Sequence, residues 1–125
     1  MVTAPRWIRV VSFLIALLGV FVACSLYLAP APFLPGVDLA AEGALFLVAM
    51  WAARQLAIAL ALGFAAWRGS PVMLAIVLGI YCLMNIQDAL IGVWRGDTGL
   101  LIGAAFFTVL SGSMVAMLWR SIQKL

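Results

Sequence analysis

Four long apolar runs, separated by short links, make up most of this 125-residue chain. They cover about residues 7–28, 44–67, 71–94 and 100–119. A helix rises about 1.5 Å per residue, so about 20 apolar residues cross a hydrocarbon core about 30 Å thick. We therefore predict an all-α, antiparallel four-helix transmembrane bundle that forms a single integral membrane domain over residues 1–125.

The amino-acid composition indicates that lipid surrounds much of the chain, and it disfavours several classes of function. The chain is 68% hydrophobic and 9% charged, more apolar surface than a soluble domain of this size can bury. It has no histidine, and its two cysteines are isolated, so neither a zinc pattern nor the commonest general base is present. We predict no catalytic and no metal-binding residues, and an enzyme acting alone is the least favoured class.

The positions of basic and aromatic residues predict how the bundle sits in the membrane. Most basic residues fall at one side of the predicted spans, and only Arg95 falls at the other side, beside Asp38, Glu42 and Asp97. The residues of the basic side are Arg6, Arg9, Arg68, Arg120 and Lys124. The positive-inside rule then places both termini in the cytoplasm. The same distribution is typical of membrane-surface anchoring and lacks the basic cluster with interleaved aromatics that nucleic-acid binding requires.

Tryptophans mark the ends of the predicted spans. Trp7, Trp67, Trp94 and Trp119 all lie at run boundaries, where an amphipathic ring prefers the headgroup zone. A secretory signal is the rival interpretation of the first run, because Ala29-Pro30-Ala31 resembles a small-residue cleavage site. That run is longer than a typical signal core, which favours a retained span.

The links predict the order of the spans. Pro30, Pro32 and Pro35 prevent one helix from continuing through the first link. In Arg68-Gly69-Ser70-Pro71, glycine ends a helix, serine caps the next and proline fits a first helical position. So short a turn makes spans two and three antiparallel neighbours. The pairs Ala59–Gly63 and Gly99–Gly103 allow close helix approach, within the chain or in a homodimer.

Two charged residues lie inside apolar spans. Arg54 lies roughly 14 Å and Asp88 roughly 9 Å from the outer surface, counted by helical rise. An unpaired charge at mid-membrane costs about 3 kcal/mol, and an arginine fork suits a carboxylate. We predict that the two side chains contact each other and face the bundle interior. Two alternatives remain: the pair only fixes helix register, or it lines a site open to the outer leaflet.

Further polar residues concentrate in the outer half of the same two spans. Asn85 and Asp88 are three residues apart and share a helix face that Tyr81 extends by one turn. The predicted polar pocket consists of Arg54, Gln55, Tyr81, Asn85, Gln87 and Asp88. The inner half of these spans is almost purely apolar, which argues against a continuous pore.

Span four carries Thr108 and Ser111, for which bonding to their own helix carbonyls is the simpler interpretation. Cys24 and Cys82 lie at different depths, which disfavours a disulfide between them.

Ala53-Arg54-Gln55, the alanine-rich run with Gly63, and Gln87-Asp88 resemble the DoxX-like group of small four-span bacterial membrane proteins. The resemblance covers residues 44–95. It implies that Arg54 and Asp88 form the polar pair of the group and that the protein lies in a bacterial inner membrane. It also implies a link to quinone-coupled oxidation, in which some members of the group serve as the membrane partner of another subunit.

These observations support three functional hypotheses. The first is a non-catalytic module that binds an amphiphile or a partner helix at the outer-leaflet pocket. The second is a membrane subunit of a quinone-linked oxidoreductase, with quinone as the cofactor. The third is a small transporter that acts as an oligomer. The expected partners are the lipid bilayer and either a second copy or another membrane protein.

Overall fold

The computed structural model describes residues 3–34 and 36–124, which form four α helices and no strand within those ranges. The helices are α1 (Arg6–Leu28), α2 (Ala44–Arg68), α3 (Pro71–Arg95) and α4 (Thr98–Gln123), with a short 3-10 turn at Ala31–Phe33. Each α helix is long and apolar enough to cross a membrane. The predicted all-α four-helix class is confirmed, and the chain is a multi-pass membrane protein.

The short links contain the caps that the sequence predicts. Gly69 ends α2 with a left-handed φ of 69°, a conformation that costs glycine little because it has no Cβ. Ser70 Oγ accepts a hydrogen bond from the Met73 amide at 3.3 Å, and Pro71 takes the first position of α3. Asp97 Oδ1 accepts from the Leu100 amide at 3.1 Å and caps α4 in the same way.

The helices pair as two antiparallel hairpins. α1 packs along α2 and α3 packs along α4, whereas α2 and α3 contact each other far less extensively. Spans two and three are therefore neighbours, as predicted. We call the contact between α2 and α3 the seam, and it is less extensive than the contacts within each hairpin. We call the end with both termini and the turn at 68–71 the terminal end, and the end with the links at 29–43 and 95–98 the loop end.

A shared hydrophobic core joins the two hairpins in the terminal half. All four helices contribute fully buried side chains to it, among them Ile8, Leu62, Leu78 and Leu118. A second, smaller cluster lies toward the loop end. It contains Leu26 of α1 and Val48 of α2, with Leu39 of the link packed against them. Among the described residues, no buried apolar cluster joins α2 to α3 in the loop half.

Small residues allow α1 and α2 to approach closely. A Cβ added to Gly19 would lie 2.8 Å from Ala59 Cβ, closer than two carbon atoms pack. A Cβ at Gly63 would lie 3.6 Å from Ala16 Cβ. The helix that closely approaches Ala59 and Gly63 of α2 is thus α1. By contrast, no other group lies within 4 Å of a Cβ built at Gly103.

Candidate functional site

Arg54 of α2 and Asp88 of α3 meet across the seam between the hairpins. Arg54 Nη2 lies 3.9 Å from Asp88 Oδ1, and this is the one ion pair within residues 3–34 and 36–124. The predicted contact is confirmed. Its length exceeds the 2.7–2.9 Å typical of a charge-assisted hydrogen bond, so the pairing is electrostatic and loose.

The pair lies at the surface of the bundle and not in its interior. The Arg54 side chain is 51% exposed and that of Asp88 is 26% exposed. The prediction that both side chains face the bundle interior is therefore wrong for Arg54, whereas Asp88 is partly buried. Most helix contacts lie within each hairpin, and the core that joins the two hairpins lies in the terminal half. Arg54 lies outside that core, so α2 and α3 do not enclose its side chain.

Arg54 keeps unused hydrogen-bonding capacity. A guanidinium carries five N–H donors, and no described residue accepts a hydrogen bond from Arg54. An exposed cation at this depth of an apolar helix is costly unless polar groups surround it. The seam can therefore offer a planar set of donors to an oxygen-bearing group, with the Asp88 carboxylate alongside.

Tyr81 and Asn85 continue the Asp88 face of α3 toward the terminal end, but their contacts are internal. Both residues are buried. Asn85 Nδ2 donates a hydrogen bond at 2.8 Å to the Tyr81 carbonyl one turn back. The Tyr81 ring packs edge-to-face on Phe107 of α4, with ring centroids 6.2 Å apart. These two residues join the seam to the shared core.

Gln55 points toward α1, away from the exposed side of the seam. It lines a narrow crevice between α1, α2 and α3, together with Gly19 and Tyr81. The crevice is too tight to hold a water molecule. Gln55 and Tyr81 thus line one crevice, but without an open cavity between them.

The sixth predicted pocket residue, Gln87, lies elsewhere. Its side chain is exposed on α3 and lines neither the crevice nor the contact with Arg54. Residues one apart on a helix point about 100° from each other, so Gln87 and Asp88 face different surroundings.

The polar groups of α4 are used by their own helix. Thr108 Oγ1 donates to the Ala104 carbonyl at 2.7 Å, and Ser111 Oγ donates to the Phe107 carbonyl at 2.6 Å. The predicted back-bonding is confirmed for both. Cys24 and Cys82 are free thiols, and Cys82 Sγ lies 3.6 Å from the Thr108 carbonyl oxygen.

Arg9 has a role that the sequence analysis missed. Its guanidinium donates to the Ala66 carbonyl at 3.0 Å and to the Trp67 carbonyl at 3.1 Å. Unpaired carbonyls at the end of a helix carry partial negative charge, which a cation stabilises. The sequence analysis placed Arg9 only among the basic residues of one membrane side, because a contact with a residue 57 positions away is not a local property of the sequence.

Comparisons with known proteins find no match: no family model fits the chain, and no similar curated protein or solved structure was found. The DoxX-like resemblance therefore stays a prediction. Within the described ranges, no three side chains of the types that ligate metals come together.

Proposed function

We propose that this protein is a non-catalytic membrane module that binds the polar group of an amphiphile at the Arg54–Asp88 seam. The observation that carries the proposal is the half-exposed Arg54, which has no hydrogen-bond acceptor among the described residues and only a loose ion pair with Asp88. A carbonyl, carboxylate or phosphate oxygen on a lipid-soluble molecule would supply the missing acceptors. Asp88 would hold the guanidinium toward the seam and balance its charge.

The surroundings of the ion pair favour an amphiphile over a water-soluble ligand. Large apolar side chains on the same two helices are exposed beside it, including Met50 at 55% and Ile91 at 46%. Such surroundings suit a molecule with an apolar body and one polar end. A partner helix bearing one polar residue has the same chemistry and is the competing occupant.

The location of the seam follows from the proposed orientation. Five basic residues belong to segments at the terminal end, against Arg95 at the loop end, so the positive-inside rule supports cytoplasmic termini. The seam would then open toward the outer leaflet. We extend the proposal to a bacterial inner membrane, for which the DoxX-like pattern of Arg54 and Asp88 is the support.

The two alternatives make different demands on this geometry. A quinone-linked subunit would use Arg54 to donate to a quinone carbonyl, and electrons would have to come from a redox partner. A transporter in a single copy would need a path through the terminal half, which the buried side chains of all four helices fill. The latter function therefore requires an oligomer or a large rearrangement.

The test is native mass spectrometry with lipid analysis on protein extracted gently from its own membrane. Wild type is compared with Arg54→Ala and with Arg95→Ala, which removes an exposed arginine at the loop end of α3. We expect a distinct bound amphiphile on wild type and on Arg95→Ala, and its loss from folded Arg54→Ala.

The identity of the bound species separates the hypotheses. A bound quinone, or copurification with a redox protein, would support the oxidoreductase subunit. A bound protein in place of a small molecule would support a partner helix. If folded wild type and Arg54→Ala carry the same species in the same amounts, the seam does not bind an amphiphile.

A further inference from the structure

A second surface, at the opposite end of the bundle, combines positive charge with an apolar wall. It is an open groove of about 390 Å³ between α1 and the end of α2. Arg6 and Arg9 lie on it beside Phe13, Leu14 and Trp67. This volume is within the range of small-molecule sites, and it is much larger than the crevice lined by Gln55 and Tyr81.

The two arginines of the groove differ in what they already bind. Arg9 is fixed because its guanidinium donates to the Ala66 and Trp67 carbonyls. Arg6 is exposed and has no hydrogen bond or ion pair with a described residue. The groove thus holds one oriented cation and one cation free to meet an anion.

We propose that this groove binds one anionic phospholipid from the leaflet at the terminal end. Its phosphate would lie between Arg6 and Arg9, because guanidinium groups pair well with phosphate oxygens. An acyl chain would run along Phe13 and Leu14, which are 47% and 58% exposed. Trp67, at the end of α2, would lie at the level of the headgroup.

The charge of the groove favours a lipid with net negative charge. Arg6 and Arg9 lie on it, and none of its lining residues is acidic. A zwitterionic phospholipid brings a choline or ammonium group that such a site repels. The apolar wall has no equivalent contact with free phosphate, so the acyl chain separates the lipid from a soluble anion. This site is distinct from the Arg54–Asp88 seam and does not depend on its function.

The experiment is a lipid titration of the purified full chain, followed by native mass spectrometry. The probes are phosphatidylglycerol and phosphatidylcholine with identical acyl chains. We expect the first phosphatidylglycerol to bind more tightly than the first phosphatidylcholine. Arg6→Gln should lower the phosphatidylglycerol association constant about fivefold, the upper end for an exposed ion pair, because the phosphate loses its contact with Arg6.

Matched variants distinguish a site from general surface charge. Arg120→Gln removes an exposed arginine from α4 at the terminal end that does not line the groove, so it should change the constant less than about twofold, since salt screens charges that are not in contact. Arg6→Lys should keep the preference for phosphatidylglycerol. Equal losses in Arg6→Gln and Arg120→Gln, or no loss in either, would overturn the proposal. Displacement of the lipid by an equal concentration of inorganic phosphate would overturn it too, because the site would then bind phosphate alone.

Discussion

The terminal and loop halves of the bundle differ in how the two hairpins meet. In the terminal half, side chains from all four helices form one core, and Leu74, Leu78 and Met114 are completely buried. In the loop half, the described apolar cluster belongs to α1, α2 and their link, and α3 takes no part in it. The hairpins are thus joined by apolar packing at one end and by a loose ion pair nearer the other.

This difference separates stability from binding within a single small domain. A packed apolar core gives a unique arrangement and leaves no room for a ligand. At the seam, by contrast, Arg54 and Asp88 approach only to 3.9 Å, beyond hydrogen-bond distance, and Arg54 stays half exposed. Substitutions of buried residues in the shared core should therefore change stability, and substitutions at the seam should change binding there.

The largest effect is expected from a matched pair of leucines on α3. Leu78 is fully buried in the terminal half, and Leu90 is 65% exposed in the loop half. Leu78→Ala should lower the free energy of unfolding by about 2–5 kcal/mol, because it leaves a cavity in the shared core. Leu90→Ala should change it by about 0.5 kcal/mol or less. Unfolding in bicelles by titration with dodecyl sulfate measures both, and equal losses would break the distinction between the halves.

The next effect concerns the close contact within the first hairpin. Gly19→Leu should cost about 1–3 kcal/mol, because the new side chain meets Ala59 and forces α1 away from α2. Gly103→Leu is the control, since open space surrounds a Cβ there. The same unfolding titration measures both variants. A Gly19→Leu protein as stable as Gly103→Leu would show that the hairpin does not depend on this approach.

A smaller effect is expected where Arg9 binds the end of α2. Arg9→Gln should cost about 1 kcal/mol, because the Ala66 and Trp67 carbonyls lose a charged donor. Arg120→Gln serves as the control, because no described residue accepts a hydrogen bond from exposed Arg120. Hydrogen exchange at the last turn of α2 is the readout. Unchanged exchange in Arg9→Gln would mean that the bond does not hold this turn.

The smallest effect is expected at Gln87, which the sequence analysis assigned to the polar pocket. Since Gln87 is exposed and apart from the ion pair, Gln87→Ala should shift stability by less than about 0.5 kcal/mol. It should also leave the species bound at the seam unchanged, as judged by native mass spectrometry. Loss of that species in folded Gln87→Ala would extend the site to a second face of α3.

The number of helices and their links could be predicted from the sequence, because span length and turn chemistry are local properties. Ser70 and Asp97 cap α3 and α4 through their own side chains. The ends of α4 were predicted less accurately, because the helix runs over Thr98–Gln123 and the predicted span was 100–119. Ser121 lies in this extension, where its hydroxyl donates to the Met117 carbonyl of the same helix at 3.1 Å.

The rotation of each helix could not be predicted in the same way. A soluble helix shows its buried face by an apolar stripe, but a helix that is apolar all round carries no such stripe. The pairing of Arg54 with Asp88 followed from their opposite charges, their depths and the short turn between their spans, whereas the exposure of Arg54 depends on which helices pack most closely. Gln87 was assigned to the pocket because it is next to Asp88 in the sequence, but neighbours in a helix face different directions.

We expect the Arg54–Asp88 pair to be free to bind and not to hold the two hairpins together. A double-mutant cycle tests it directly, with unfolding free energies of wild type, Arg54→Gln, Asp88→Asn and the double variant in bicelles. The length of the pair predicts a coupling energy of about 0.6 kcal/mol or less, the average for polar contacts between transmembrane helices. A coupling above about 1.5 kcal/mol would contradict the claim, because the pair would then be a structural link between α2 and α3.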